Sequence, residues 1–182
     1  GNVRFAQADE FEGIATDAPL WRIPAHKMKL ERGEAEIEAM EFVVPLAPQA
    51  AQLVAVAIRF AGRRKYLFPS IRYSHRPISE NGLSTNYRRV PGFAGRHVPH
   101  GWRSSFATIM NERAMDEGRP GDRAIIDLML AHRQDGVEAT YNRAAYMTRR
   151  REIACDWADL LCDGLTPVCE LIEGPRKHQP PR

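Results

Sequence analysis

The sequence predicts a mainly α domain with a small antiparallel β-sheet near its N-terminus, an α+β class. Apolar residues recur at helical spacing in the second half, as at Phe106, Ile109, Met110 and Ala114. Two short runs in the first fifty residues, PLWRIPA (Pro19–Ala25) and EFVVPLA (Glu41–Ala47), read as paired strands. Proline opens and glycine closes the clearest helical run, at Pro48 and Gly62.

The elements follow in order. Residues 1–12 read as the end of a helix. The two strands come next, joined by HKMKLERGEAEIEAM, which is long and charged for a hairpin connection, with Gly33 as its expected turn. PQAAQLVAVAIRFAG is a helix, and KYLFPS is a short extended piece. SENGLSTNYRRV reads as a helix capped by Ser79, and Gly92 and Gly95 mark a loop. PHGWRSSFATIMNERAMDEG is a helix closed by Gly118, and Asp122 is the expected cap of RAIIDLMLAH. GVEATYNRAAYM and RREIACDWADLLCDGL read as two more helices. In the last of them Ile153, Ala154, Trp157, Leu160 and Leu161 form an apolar stripe. That stripe packs on its own core or exchanges with a neighbouring protomer. Residues 174–182, GPRKHQPPR, are rich in proline and basic residues and read as a loose tail.

A chain of 182 residues makes one sizeable domain. Its 43% hydrophobic and 27% charged residues exclude a disordered or membrane-spanning class. No secretory pattern is present, so a cytoplasmic location is expected. The three cysteines, Cys155, Cys162 and Cys169, lack C-x-x-C spacing, which argues against a zinc site or a disulfide framework. Cys155 and Cys162 share a helix face and are expected as buried thiols. A net charge of +3 permits a nucleic-acid partner without demanding one. Basic clusters stand at Arg63–Lys65, Arg88–Arg89, Arg96–His97 and Arg149–Arg151. Each alone reads as solvated surface.

Several residues carry chemistry. In HVPHGWRSSF (His97–Phe106), His100 and Arg103 lie one turn apart at a helix start. There free N–H groups and the dipole favour an anion, and arginine grips a phosphate with two parallel bonds. Trp102 and Phe106 are placed to anchor that turn to the core. His132 ends an apolar run, and Tyr141 follows it by nine residues, with Tyr146 beyond. Lys27 and Lys29 alternate around Met28 after the first strand. Singly, each has an ordinary explanation: a capping histidine, a solvated arginine or lysine, a core tyrosine.

Taken in order, WRIPAHKMK, VVPLA, YLFPS, VPHGWRSSF, LMLAHR and YNRAAYM resemble the tyrosine recombinase catalytic domain. The similarity is closest to prophage and genomic-island integrases of the satellite-phage type and covers roughly residues 1–163. It implies the DNA breaking-rejoining fold, double-stranded DNA as partner, a homotetramer on DNA, a monomer or weak dimer without it, and no cofactor or metal. It implies that Tyr141 attacks a phosphodiester to form a 3′-phosphotyrosine. Arg103 would bind the scissile phosphate, and His100 would hold it and assist proton transfer. His132 would hydrogen-bond it, and Lys29 would protonate the leaving 5′ oxygen. Tyr146 is expected in the core. Lys27, Arg88, Arg89 and Arg96 are further candidate DNA contacts. Lys29, His100, Arg103 and His132 should converge on one concave face.

The sequence departs from the family in one respect. The family's first arginine, usually in Arg-Pro-Gly-Asn, would stand two residues before Gly1, and Arg4 does not replace it. The chain opens GNVRFAQADEF without an initiator methionine, as a fragment would. The expectation is a catalytic domain over 1–163, truncated at its N-terminus, and a tail over 164–182. As a fragment it is expected to bind DNA weakly and cleave poorly. A type IB topoisomerase-like nickase and a non-catalytic DNA-binding module are the alternatives. A histidine metal site is disfavoured because H-x-x-x-H spacing is absent.

Overall fold

A computed structural model describes residues 2–28, 41–131 and 146–173. The sheet comprises β1 (Phe11–Glu12), β2 (Leu20–Ile23) and β3 (Phe42–Pro45), antiparallel in the order β1-β2-β3. The expected strand pair is present, in register from Leu20 opposite Pro45 to Ile23 opposite Phe42. Residues 1–12 are not the end of a helix. They form 3₁₀ turns at Asn2–Phe5 and Ala8–Glu10, then the edge strand β1. The cause is tertiary. Phe11 stacks on Trp21 with ring centroids 5.4 Å apart, and the buried Glu10 carboxylate accepts the Trp21 indole N–H at 3.0 Å. No local pattern encodes those contacts.

Six α-helices follow among the described residues: α1 (Pro48–Ala61), α2 (Gly82–Arg89), α3 (Gly101–Asp116), α4 (Asp122–Met129), α5 (Met147–Cys162) and α6 (Val168–Glu173). Pro48 occupies the first turn of α1, and Gly62 leaves the helix at φ 58°, a conformation that suits glycine. Ser79 does not cap α2. The helix starts three residues later, and Ser79 offers only its carbonyl, to the Gly82 N–H at 2.9 Å. Asp122 does not cap α4 either, because its carboxylate is engaged with Arg149. That helix stops at Met129, short of His132.

Two apolar clusters hold the domain. Phe106 and Met110 from α3, Ile125 and Ile126 from α4, Leu130, and Ile153 from α5 form one, with Trp157 packed against it. Full burial of each large side chain is worth about 1.5–3 kcal/mol. Ala6, Ala61 and Leu67 form the other, beneath Phe11 and Trp21. Helix α5 lies between them and packs against β3, α1, α3 and α4.

Its apolar stripe divides. Ile153 and Trp157 join the core, whereas Leu160 and Leu161 are exposed at 42% and 40%. Cys155 and Cys162 are half-buried rather than buried, and Cys169 is exposed, since the thiols flank the stripe. Helix α6 packs on α1, so part of the expected tail belongs to the folded body. Residues 174–182, Gly33 and most of GVEATYNRAAYM lie outside the described residues. Among the described residues no helix is long and apolar enough to cross a membrane.

Candidate active site

His100 is exposed immediately before α3, and Arg103 is exposed in its first turn. The Arg103 N–H donates to the His100 carbonyl at 3.1 Å, which closes that turn. Arg103 also reaches across to α4, where its Nη2 donates to the Leu130 carbonyl at 2.6 Å. Leu130 ends α4. The next residue, Ala131, stands at φ 55°, a left-handed conformation costing roughly 1–2 kcal/mol without glycine. Arg103 therefore holds the strained exit from which the chain continues to His132. Lys29, His132 and Tyr141 lie outside the described residues, so the expected convergence is described only at His100 and Arg103.

The α3 turn rests on aromatic packing. Phe106 is buried and meets Trp157 edge-on at 5.5 Å. Trp102 is 37% exposed; its ring lies 4.7 Å from His97 and its indole N–H donates to the Tyr87 hydroxyl. His97 also packs beside Tyr87 and Phe93. A side chain at position 101 would come within 3.0 Å of the His97 ring, so Gly101 permits this close approach. The cluster ties α2 to α3. Arg88 and Arg89, in the last turn of α2, and Arg96, in the loop after it, are all exposed.

Lys27 behaves differently from the other candidate DNA contacts. Its ammonium pairs with buried Glu10 and donates to the Phe5 carbonyl at 2.8 Å. The pair fastens the segment after β2 to the N-terminal turns, which leaves Lys27 a structural tie rather than a phosphate ligand. Tyr146 is not a core residue. It is 58% exposed and stands at φ 59° just before α5, off the packed face.

The triplet Arg149–Arg151 is not solvated surface. Arg149 forks onto Asp122 of α4, with its Nε 3.1 Å and its Nη2 2.6 Å from the two carboxylate oxygens. Arg150 is 1% exposed, donates to the Val43 carbonyl of β3 and lies 5.7 Å over the Phe42 ring. Burial pulls its pKa below the ordinary arginine value. Helical spacing carries the signal for this placement. Arg150, Ile153 and Trp157 follow at i, i+3 and i+7, which sets Arg150 on the apolar stripe. Glu10 and Asp122 carry no comparable local signal.

The hydrogen bond from Arg149 holds the Asp122 carboxyl below its usual range, against the opposing effect of burial. A lowered folded-state pKa contributes stability that is complete above the ordinary aspartate pKa. It is lost as pH falls through the lower folded value. Asp122→Asn should cost about 1.5–3 kcal/mol at pH 7, the usual worth of a hydrogen bond to a charged group. It should also flatten the acid limb of stability. Melting curves between pH 7 and pH 3 check both, and coincident curves for the two proteins would contradict the assignment.

The phage integrase family profile matches residues 14–147, most of the chain and the whole interval from β2 through His100 and Arg103 to α4. The chain belongs to the phage integrase family. Its fold is that of the tyrosine recombinase catalytic domain. It is 33% identical over 161 residues to prophage integrase IntA of Escherichia coli K12, covering 87% of this chain and 35% of that protein. Prophage integrase IntZ of the same strain is 32% identical over 151 residues, covering 83% of this chain and 34% of IntZ. The integrase of Shigella phage Sf6 is 33% identical over 121 residues, covering 65% of this chain and 30% of that integrase. This integrase domain thus spans about a third of the length of the curated relatives it matches. No solved structure matches the chain.

Proposed function

We propose that the protein is a site-specific DNA recombinase of the prophage or genomic-island integrase type. The observation that carries this reading is the hold of Arg103, in the exposed first turn of α3, on the end of α4 two residues before His132. A planar guanidinium fixed at one nitrogen keeps further donors for a phosphate. In this reading the Tyr141 phenol oxygen attacks a backbone phosphorus. An O–P bond forms as the P–O5′ bond breaks, and Lys29 gives the leaving oxygen its proton. The product is a 3′-phosphotyrosine, which retains the bond energy so that a second 5′ hydroxyl can rejoin the strand. Arg103, His100 and His132 stabilise the charge developing on the phosphoryl oxygens. The assembly on DNA is a homotetramer acting in the cytoplasm, with a monomer or weak dimer otherwise.

The test is a suicide duplex, nicked so that the short leaving strand diffuses away after cleavage. Incubated with the protein expressed from its gene, including whatever precedes Gly1, it should yield a protein–DNA adduct that survives detergent. Failure to trap any adduct on the cognate site would overturn the reading. The 182 residues alone should trap little, because the family's first arginine is not among them.

Arg88, Arg89 and Arg96 serve in this reading as phosphate ligands. Replacing them with alanine should flatten the slope of log affinity against log salt by about 0.9 for each duplex phosphate left without its arginine. Fluorescence anisotropy over a salt series measures it, and an unchanged slope would remove these residues from the interface.

A further inference from the structure

Helix α5 is the described element in substantial contact with both layers: the sheet with α1 on one side, and α3 with α4 on the other. Its first turns make buried polar ties to each. Arg149 binds Asp122 on α4, and Arg150, almost wholly buried, binds the Val43 carbonyl and covers Phe42 on β3. Phe42 pairs with Ile23, so these two residues close the foot of the connection between β2 and β3. Lys29 belongs to that connection by sequence. The α3 and α4 layer carries His100 and Arg103, with Arg103 bonded to the end of α4.

A buried guanidinium is an expensive way to fill space. Leucine or methionine would fill the same stripe, so the arginine here provides direction, fixing one carbonyl of one strand. We propose that Arg150 is a positioning residue for the cleavage step. It sets the foot of the Lys29 connection against the layer that carries the phosphate grip, so that the leaving-group proton is delivered in register with the held phosphate. The inference rests on the recombinase reading above and adds Arg150 to it.

The chemistry supplies a test that a general loss of stability does not mimic. In normal DNA the P–O5′ bond breaks as the 5′ oxygen takes a proton. If sulfur replaces that bridging oxygen, the P–S bond breaks and a thiolate leaves without a proton. A defect confined to proton delivery therefore disappears on the sulfur substrate. Single-turnover cleavage of suicide duplexes with 5′-bridging oxygen and with 5′-bridging sulfur would be measured for four proteins expressed from the gene: wild type, Lys29→Met, Arg150→Met and Arg150→Lys. General acid catalysis is worth about 10²–10⁴-fold. Arg150→Met should forfeit at least about tenfold of it on oxygen and recover most of it on sulfur. Arg150→Lys, which keeps the charge and a single donor, should fall between Arg150→Met and wild type on oxygen. It also serves as the folded comparison if Arg150→Met melts too low to assay.

Equal loss on both substrates would make Arg150 a structural residue only and overturn the proposal. A wild-type rate on oxygen would overturn it too. Both of those outcomes leave the recombinase reading standing if wild type cleaves and Lys29→Met is rescued by sulfur. A Lys29→Met defect that sulfur does not relieve would remove the general acid itself, and the role of Arg150 would fall with it.

Discussion

Tyr141→Phe should abolish covalent capture of DNA while leaving duplex affinity unchanged. The substitution removes one oxygen, and in the proposed reaction that oxygen is the nucleophile. A free phenol, with a pKa near 10, is ionised in only about one molecule per thousand at pH 7. The tyrosine therefore depends on the cationic groups at the phosphate, and no other hydroxyl inherits its place. Tyr146, five residues on and exposed, is the obvious substitute. It stands in a left-handed conformation against the start of α5, and Arg150 donates its backbone N–H to the Tyr146 carbonyl at 2.8 Å. Tyr146→Phe should accordingly keep the adduct that Tyr141→Phe loses. Gel assays of both variants on the suicide duplex measure this, and an adduct persisting in Tyr141→Phe would contradict it.

Arg103→Ala should slow cleavage by about 10²–10³-fold, the usual cost of one donor aimed at developing charge. Its effect on folding should be far smaller. The one hydrogen bond it makes to the Leu130 carbonyl is worth about 1 kcal/mol net. Arg103→Lys should rescue little, because a single ammonium cannot both hold that carbonyl and present a planar fork to a phosphate. The separation of rate from melting temperature is the diagnostic. A lysine variant cleaving at the wild-type rate would show that charge alone suffices and would remove the bidentate role.

Much of the architecture is legible in the sequence, for physical reasons specific to each element. The α1 helix carries its own punctuation, Pro48 to enter and Gly62 to leave, and the boundaries agree with it. The β2–β3 pair is short and apolar between polar neighbours, and it pairs as expected. Local pattern misleads where a distant partner decides. Glu10 and Phe11 answer to Trp21, which draws the N-terminal residues into 3₁₀ turns and a strand. Asp122 has the composition of a helix cap, but a doubly bonded arginine from α5 outcompetes its own backbone. Lys27 and Lys29 look alike in sequence. Burial separates Lys27, which serves Glu10.

The candidate site is legible in a different way. His100 and Arg103 are an ordinary pair until set in order with Lys29, His132 and Tyr141, and family resemblance rather than periodicity singles them out. Periodicity does contain Arg150, on the stripe with Ile153 and Trp157. A charge triplet masks one inward-facing member, because clusters read as solvent-facing by composition.

The most direct measurement is the chemical identity of the DNA linkage. Wild-type protein trapped on a suicide duplex would be digested with protease and nuclease and its nucleotide-bearing peptide sequenced by mass spectrometry. The account predicts a single modified residue, Tyr141, joined to the 3′ phosphate of the cleaved strand. A nucleotide on Tyr146 or any other side chain, or a 5′ linkage, would contradict it.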